Sequence, residues 1–153
     1  MKRVIALCLT VLLLAVFAQA GLDSKKTMYV GGTIASIKEG TEGISSATDE
    51  KVWAFDYKKG KLTIPYDKVT SLEYGQKAGR RVAVAILVSP LALFSKKRKH
   101  YLPITYTDDA GKQQAGVFEL GKSVVRTMLA SLEARTGKQI EYQDEARKSA
   151  KGQ

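Results

Sequence analysis

Residues Gly116–Ser123, GVFELGKS, match the phosphate-loop pattern G-x-x-x-x-G-K-[ST] letter for letter. Such a loop needs a bend whose backbone N–H groups converge on phosphate, with a lysine on the terminal phosphates and a hydroxyl on magnesium. The four intervening residues here are Val117, Phe118, Glu119 and Leu120. They read as a strand, and the Glu119 carboxylate would repel phosphate. No apolar run ending in aspartate follows to hold a metal. The match is read as coincidence.

The other chemically competent residues are dispersed. His100 is the only histidine. It closes a basic run, which disfavours the imidazolium, and no serine or carboxylate partner for a proton relay stands near it in sequence. Asp108-Asp109 falls in a turn, DDAGK, where aspartate bonds its own backbone. No histidine pair or carboxylate group has the spacing of metal ligands. Trp53, Phe55, Tyr57 and Tyr66 are candidates to stack nucleic-acid bases. Aromatics alternating along a strand more often fill a core, so no nucleic-acid partner is expected. The sequence assigns no catalytic residue, no cofactor and no metal, and a non-enzyme is expected. A small hydrolase with scattered catalytic groups is the alternative that a polar cluster around His100 would revive.

The N-terminus addresses the chain. Met1-Lys2-Arg3 is a positive start, Val4 to Ala18 is apolar apart from Thr10, and Ala18-Gln19-Ala20 offers small residues where signal peptidase reads. Residues 1–20 are therefore expected to be a signal peptide cleaved before Gly21, with export to the periplasm or cell envelope. An uncleaved anchor is the alternative, but the run is shorter than the roughly 18 residues that favour a span. Cys8 lies too early to be a lipid-modified cysteine. It is also the only cysteine. The mature chain of 133 residues therefore has no thiol for catalysis, disulfides or metal. It is long enough for one core, held by packing alone.

Charge is concentrated. The whole chain carries +10, and the mature chain has 23 basic against 15 acidic residues, or +8. Six of those cations, Arg80, Arg81, Lys96, Lys97, Arg98 and Lys99, flank the thirteen uncharged residues Val82–Phe94. A local basic patch points one face of a protein toward anions. The apolar run is too short to span a bilayer. It is read as a helix that Ser89-Pro90 ends or kinks. The six cations form the expected membrane- or anion-binding set, each worth about 1 kcal/mol near an anionic surface. Ile86, Leu87, Leu91, Leu93 and Phe94 are the expected apolar contact residues. Two alternatives stand beside lipid: a buried connector with a solvated collar, and an interface to an envelope protein or a second copy.

The elements that must position these groups are mostly strands. TMYVGGTIASI (Thr27–Ile37) reads as a strand with a bulge or close backbone approach at Gly31-Gly32. EGTEGISSATDE holds a short strand at best. KVWAFDY and KLTIPY form a hairpin around KKG. In DKVTSLEYG, Val69, Ser71 and Glu73 alternate with Thr70, Leu72 and Tyr74. In HYLPITYTD, Leu102, Ile104 and Tyr106 share one face, and Pro103 suggests an edge position or an irregular start. QQAGVFEL is its partner. Gly121-Lys122-Ser123 opens a helix whose Val125, Met128, Leu129 and Leu132 fall in one stripe, stopped by Arg135 and Gly137. KQIEYQ adds a short extended piece.

Two stretches carry a family resemblance. LTIPYDKVTSLEYG has the pattern I-P-Y-x-x-[IV]-x-x-[LI]-x-Y, and HYLPITYTDDAGKQQAGVFELGKSVVRTMLASLEARTGK is a hairpin leading into a helix. In these the chain resembles the bacterial pleckstrin-homology-like (PH- or GRAM-like) domains. The resemblance implies a mainly β (α+β) fold: one curved antiparallel sheet or partly open barrel with a C-terminal capping helix. The domain is expected over 21–143, with a hydrophobic insertion at 79–100 and a polar, flexible tail at 144–153. It implies a binding or scaffolding module; the leader places that module at the cell envelope, and the basic-flanked run makes an anionic lipid surface the expected partner. The insertion prevents a headgroup pocket from being carried over from the family.

Overall fold

The structure, a computed structural model, describes residues 26–76 and 99–142. Eight strands and one helix follow in order: β1 (Lys26–Gly32), β2 (Thr41–Ser46), β3 (Val52–Tyr57), β4 (Gly60–Pro65), a 3-10 turn (Tyr66–Lys68), β5 (Val69–Tyr74), β6 (His100–Thr107), β7 (Gln113–Leu120), α1 (Val125–Thr136) and β8 (Ile140–Tyr142). The strands form one sheet in the order β4-β3-β2-β1-β7-β6-β5-β8. The sheet is not closed: β4 and β8 are its two edges.

Mainly β with a single C-terminal helix holds among the described residues, but the sheet is mixed rather than antiparallel. Each neighbouring pair is antiparallel except β5 and β8, where Leu72 faces Ile140 in a parallel register. Parallel neighbours need a long crossover. Here β6, β7 and α1 supply it. The EGTEGISSATDE stretch also does more than expected. Its residues Thr41–Ser46 form a full strand, paired with β1 on one side and β3 on the other. Propensity is weak there, and pairing on both sides overrides it.

The core lies on the inner face of the sheet. Trp53, Phe55, Ile64, Leu72, Leu102, Ile104 and Phe118 are buried there with Tyr29, Tyr66 and Tyr74. The aromatics considered above as a base-stacking platform are thus core: Trp53, Phe55 and Tyr66 are buried, and Tyr57 packs against them. Helix α1 lays its stripe of Val125, Met128, Leu129 and Leu132 onto this face. One heptad of such spacing puts four side chains on one side of a helix. The indole Nε1–H of Trp53 donates to the Met128 Sδ at 3.3 Å, so the ring is buried without an orphaned donor. The helix ends as expected, at Gly137 in the left-handed conformation (φ 67°), its N–H bonding the Glu133 carbonyl at 3.0 Å.

Three departures from strict alternation have physical causes. The Gly31-Gly32 pair does carry a bulge: the β1–β7 register shifts between Tyr29 and Gly31. A Cβ on Gly32 would sit 2.2 Å from the Ala115 carbonyl oxygen, so only glycine lets β1 lie so close to β7. In β5, a register shift between Val69 and Ser71 moves Val69 into the core with Leu72 and Tyr74, against the expected alternation. Pro103 is the third. It stands in an interior strand between β5 and β7, not at an edge. The Tyr101 N–H points to β5, where it bonds the Gly75 carbonyl at 2.8 Å. Pro103, two residues on, presents its missing N–H to the same side. The β5–β6 pairing lapses there, between Leu72↔Ile104 and Gly75↔Tyr101.

Candidate functional site

The candidate site is the place where residues 77–98 leave and rejoin the sheet. Its described ends are Gln76 and Lys99. Gly75 and Tyr101 close the gap between them with two backbone bonds, Gly75 N–H to the Tyr101 carbonyl at 3.1 Å and Tyr101 N–H to the Gly75 carbonyl at 2.8 Å. The segment 77–98 therefore begins and ends at one spot, beside two adjacent antiparallel strands.

Polar side chains from β5, β6 and β7 gather at this neck. The Tyr74 hydroxyl and His100 Nδ1 are 2.6 Å apart, and the two rings stack with centroids 6.1 Å apart at 15°. Tyr142 of β8 meets the Tyr74 ring edge-on at 5.8 Å. The Lys99 Nζ donates to the Glu119 carboxylate at 2.8 Å, both side chains being partly buried. Burial holds the His100 pKa below its ordinary value of 6.5, the Lys122 ammonium adds to this, and Glu119 opposes it. Burial likewise raises the phenols of Tyr74 and Tyr101. The hydrogen bond to Glu119 raises Lys99. The imidazole, held neutral and bonded to the Tyr74 phenol, ties the ends of β5 and β6 together.

Of the six expected anion-binding cations, Lys99 alone is described, and Glu119 neutralises it. Arg80, Arg81, Lys96, Lys97 and Arg98 lie outside the described residues, as do Ile86, Leu87, Leu91, Leu93 and Phe94. Tyr74 and Glu119 were not legible as partners. Tyr74 is 26 residues from His100, and Lys99 is 20 from Glu119. Only the register that sets Tyr101 opposite Glu119 brings the latter pair together.

The phosphate-loop match fails on geometry. Gly116–Leu120 belong to β7, which is paired with β1 on one side and β6 on the other. The Gly121 N–H donates to the Lys26 carbonyl at 3.0 Å. Those backbone donors are spent on the sheet, and no bend turns them onto an anion. Lys122→Ala should therefore change stability by less than about 0.5 kcal/mol in a urea melt. It should also move the His100 pKa up toward 6.5, read by NMR titration. Nucleotide binding that vanishes in this variant would contradict the assignment.

The His100 environment fixes a pH dependence. Because its folded pKa is lowered, the unfolded chain binds a proton first as pH falls below 6.5. Stability is thus fully present above 6.5 and declines as pH drops toward the folded pKa. Asp49 and Asp108 are held below the usual carboxylate range by hydrogen bonds, to the backbone N–H of Lys51 for the first and to Gln114 for the second. They titrate at lower pH, so the window between pH 6.5 and about 5 belongs to the histidine. His100→Phe should flatten the fall in Tm across that window. An unchanged slope would show that the ring is not held neutral.

Asp108 is a turn residue as expected: its Oδ1 accepts from the backbone N–H groups of Ala110 and Lys112. Among the described residues no three His, Cys, Asp or Glu side chains are grouped to hold a metal, and no helix is long and apolar enough to cross a membrane. No protein-family model and no curated protein matches the chain.

Proposed function

We propose that this chain is an exported, non-enzymatic binding or scaffolding domain of pleckstrin-homology-like build, working at the cell envelope and meeting anionic surfaces through the basic-flanked segment 80–99. The observation that carries the reading is the neck. Gly75 and Tyr101 are bonded to each other, so a short turn would suffice to join β5 to β6. The chain instead spends 22 residues, 77–98, between Gln76 and Lys99. Among the described residues the inner core runs from Tyr29 to Ile140. An excursion of this length, with six cations around a thirteen-residue uncharged run, is far more than the turn requires and suits contact with something else.

The strand order supports the family resemblance. A four-strand meander, β4-β3-β2-β1, meets a three-strand meander, β7-β6-β5, through the β1–β7 pair, and the C-terminal helix packs against the inner face. Export is supported by the leader-like residues Met1–Ala20. Mass spectrometry of the protein from its native host should find a chain beginning at Gly21. A stable chain beginning at Met1 in the membrane fraction would defeat the export reading. Vesicle binding, taken up in the Discussion, tests the surface contact.

A further inference from the structure

The sheet has a second apolar face. On the side away from α1, Val30, Tyr101, Ala115 and Val117 form their own cluster, with Met28 packed against it. They come from the three adjacent central strands β1, β7 and β6. Side chains two apart on a strand share a face, so Ala115, Val117 and Glu119 all point this way. An outer face of a single sheet layer is wet unless something lies on it. Yet Val30 is 5% exposed, Tyr101 4%, Ala115 8% and Val117 2%. The only described helix lies on the opposite face. No described helix or strand is placed over it.

We propose that residues 82–94 of the same chain are seated on this outer face of β1, β7 and β6. Three stretches compete, and their chemistry separates them. After cleavage before Gly21, the N-terminal piece 21–25 has one large apolar side chain, Leu22. The stretch 143–153 has none, and it starts beyond β8, at the far edge past β5. Residues 82–94 offer thirteen uncharged residues, among them Ile86, Leu87, Leu91, Leu93 and Phe94. Their attachment is also in the right place. The segment rejoins the sheet at Lys99, two residues before Tyr101, which is itself part of the patch. Lys99 is bonded to Glu119, next on the same face after Val117, so the returning chain lies at the border of the cluster. From β6 across β7 to β1 is about 10 Å, and thirteen helical residues extend about 20 Å, so the reach is ample. Seated this way, the apolar run is turned inward, and Arg80, Arg81, Lys96, Lys97 and Arg98 are displayed at its two ends. The envelope contact is then made by charge, without insertion of Leu91 or Phe94.

The seat exists in solution, so its test needs no vesicle and stands apart from the envelope reading. In the chain 21–153, p-benzoylphenylalanine replaces Met28, which is half-buried at the margin of the patch, and the protein is irradiated and digested with trypsin. The expected product joins the Met28 peptide to Val82–Lys96, the fragment between the cuts after Arg81 and Lys96. In a mixture of labelled and unlabelled protein, both halves should come from one chain. Crosslinks to 143–153, crosslinks between chains, or a folded protein with no crosslink would each overturn the seat. If the probe at Met28 prevents folding, Thr105, half-buried in β6 and on the Tyr101 face by alternation, takes it instead. Independently, Leu91→Ser with Phe94→Ser should lower Tm and raise binding of a hydrophobic dye several-fold as the patch is uncovered. An unchanged Tm and unchanged dye signal would also overturn it.

Discussion

Phe118→Ala should lower stability by about 3–5 kcal/mol, the usual cost of truncating a buried phenylalanine. Phe118 is fully buried at the centre of the inner face. Its ring meets Trp53 edge-on with centroids 4.7 Å apart, Phe55 at 5.4 Å and Tyr29 at 5.5 Å. These rings come from β3 and β1, so Phe118 on β7 joins the four-strand and three-strand halves. Each aromatic pair adds about 0.5–1.5 kcal/mol beyond burial, and the void left among three large rings closes poorly. For a domain of this size the drop corresponds to roughly 10–20 °C in Tm. Ile44→Ala is the control: Ile44 is the large apolar side chain left exposed among the described residues, and its loss should cost under about 0.5 kcal/mol. Thermal and urea melts of the two variants decide the matter. A loss below about 1 kcal/mol in Phe118→Ala would mean that the two halves do not share this core.

The mature chain should bind anionic vesicles at low salt and release as salt rises, because surface attraction fades within a Debye length of about 8 Å at physiological ionic strength. Replacing Lys96, Lys97 and Arg98 together by Gln should weaken binding by up to about 3 kcal/mol, on the order of 100-fold. That is an upper value, since three adjacent side chains do not all touch the surface at once. Lys99→Gln should do much less, because the Lys99 ammonium already lies 2.8 Å from the Glu119 carboxylate. Its cost should appear instead in stability, through Glu119 left partly buried without its cation. Leu91→Ser and Phe94→Ser should leave vesicle affinity within about two-fold if the apolar run faces the sheet; a salt-insensitive loss there would instead mark insertion into lipid. Sedimentation with acidic and neutral vesicles over a salt series gives all of these. No binding to acidic vesicles at low salt would remove the lipid surface as partner.

What the sequence determined by itself was local. The hydrophobic stripe Val125, Met128, Leu129 and Leu132 and the glycine after it specify α1 and its end, because helix period and capping act over a few residues. The KKG turn specifies the β3–β4 hairpin, and the Gly31-Gly32 pair the bulge in β1, for the same reason. The composition of Val82–Phe94 and its basic flanks was equally plain, but composition does not say what a segment touches.

The tertiary structure decided everything that depends on distant pairing. It made Thr41–Ser46 a strand by placing it between two others, and it brought β8 beside β5 in parallel through a crossover of two strands and a helix. It put Pro103 inside the sheet, at the point where one ladder can lapse. It gave His100 a phenol 26 residues back and gave Lys99 a carboxylate 20 residues on. It also folded the chain so that Val30, Tyr101, Ala115 and Val117 share an outer face. Apart from the β2–β3 and β6–β7 hairpin pairs, these partners lie beyond helical or hairpin reach of one another, so no local pattern records them. They meet because a strand register fixes every side chain along two ladders at once.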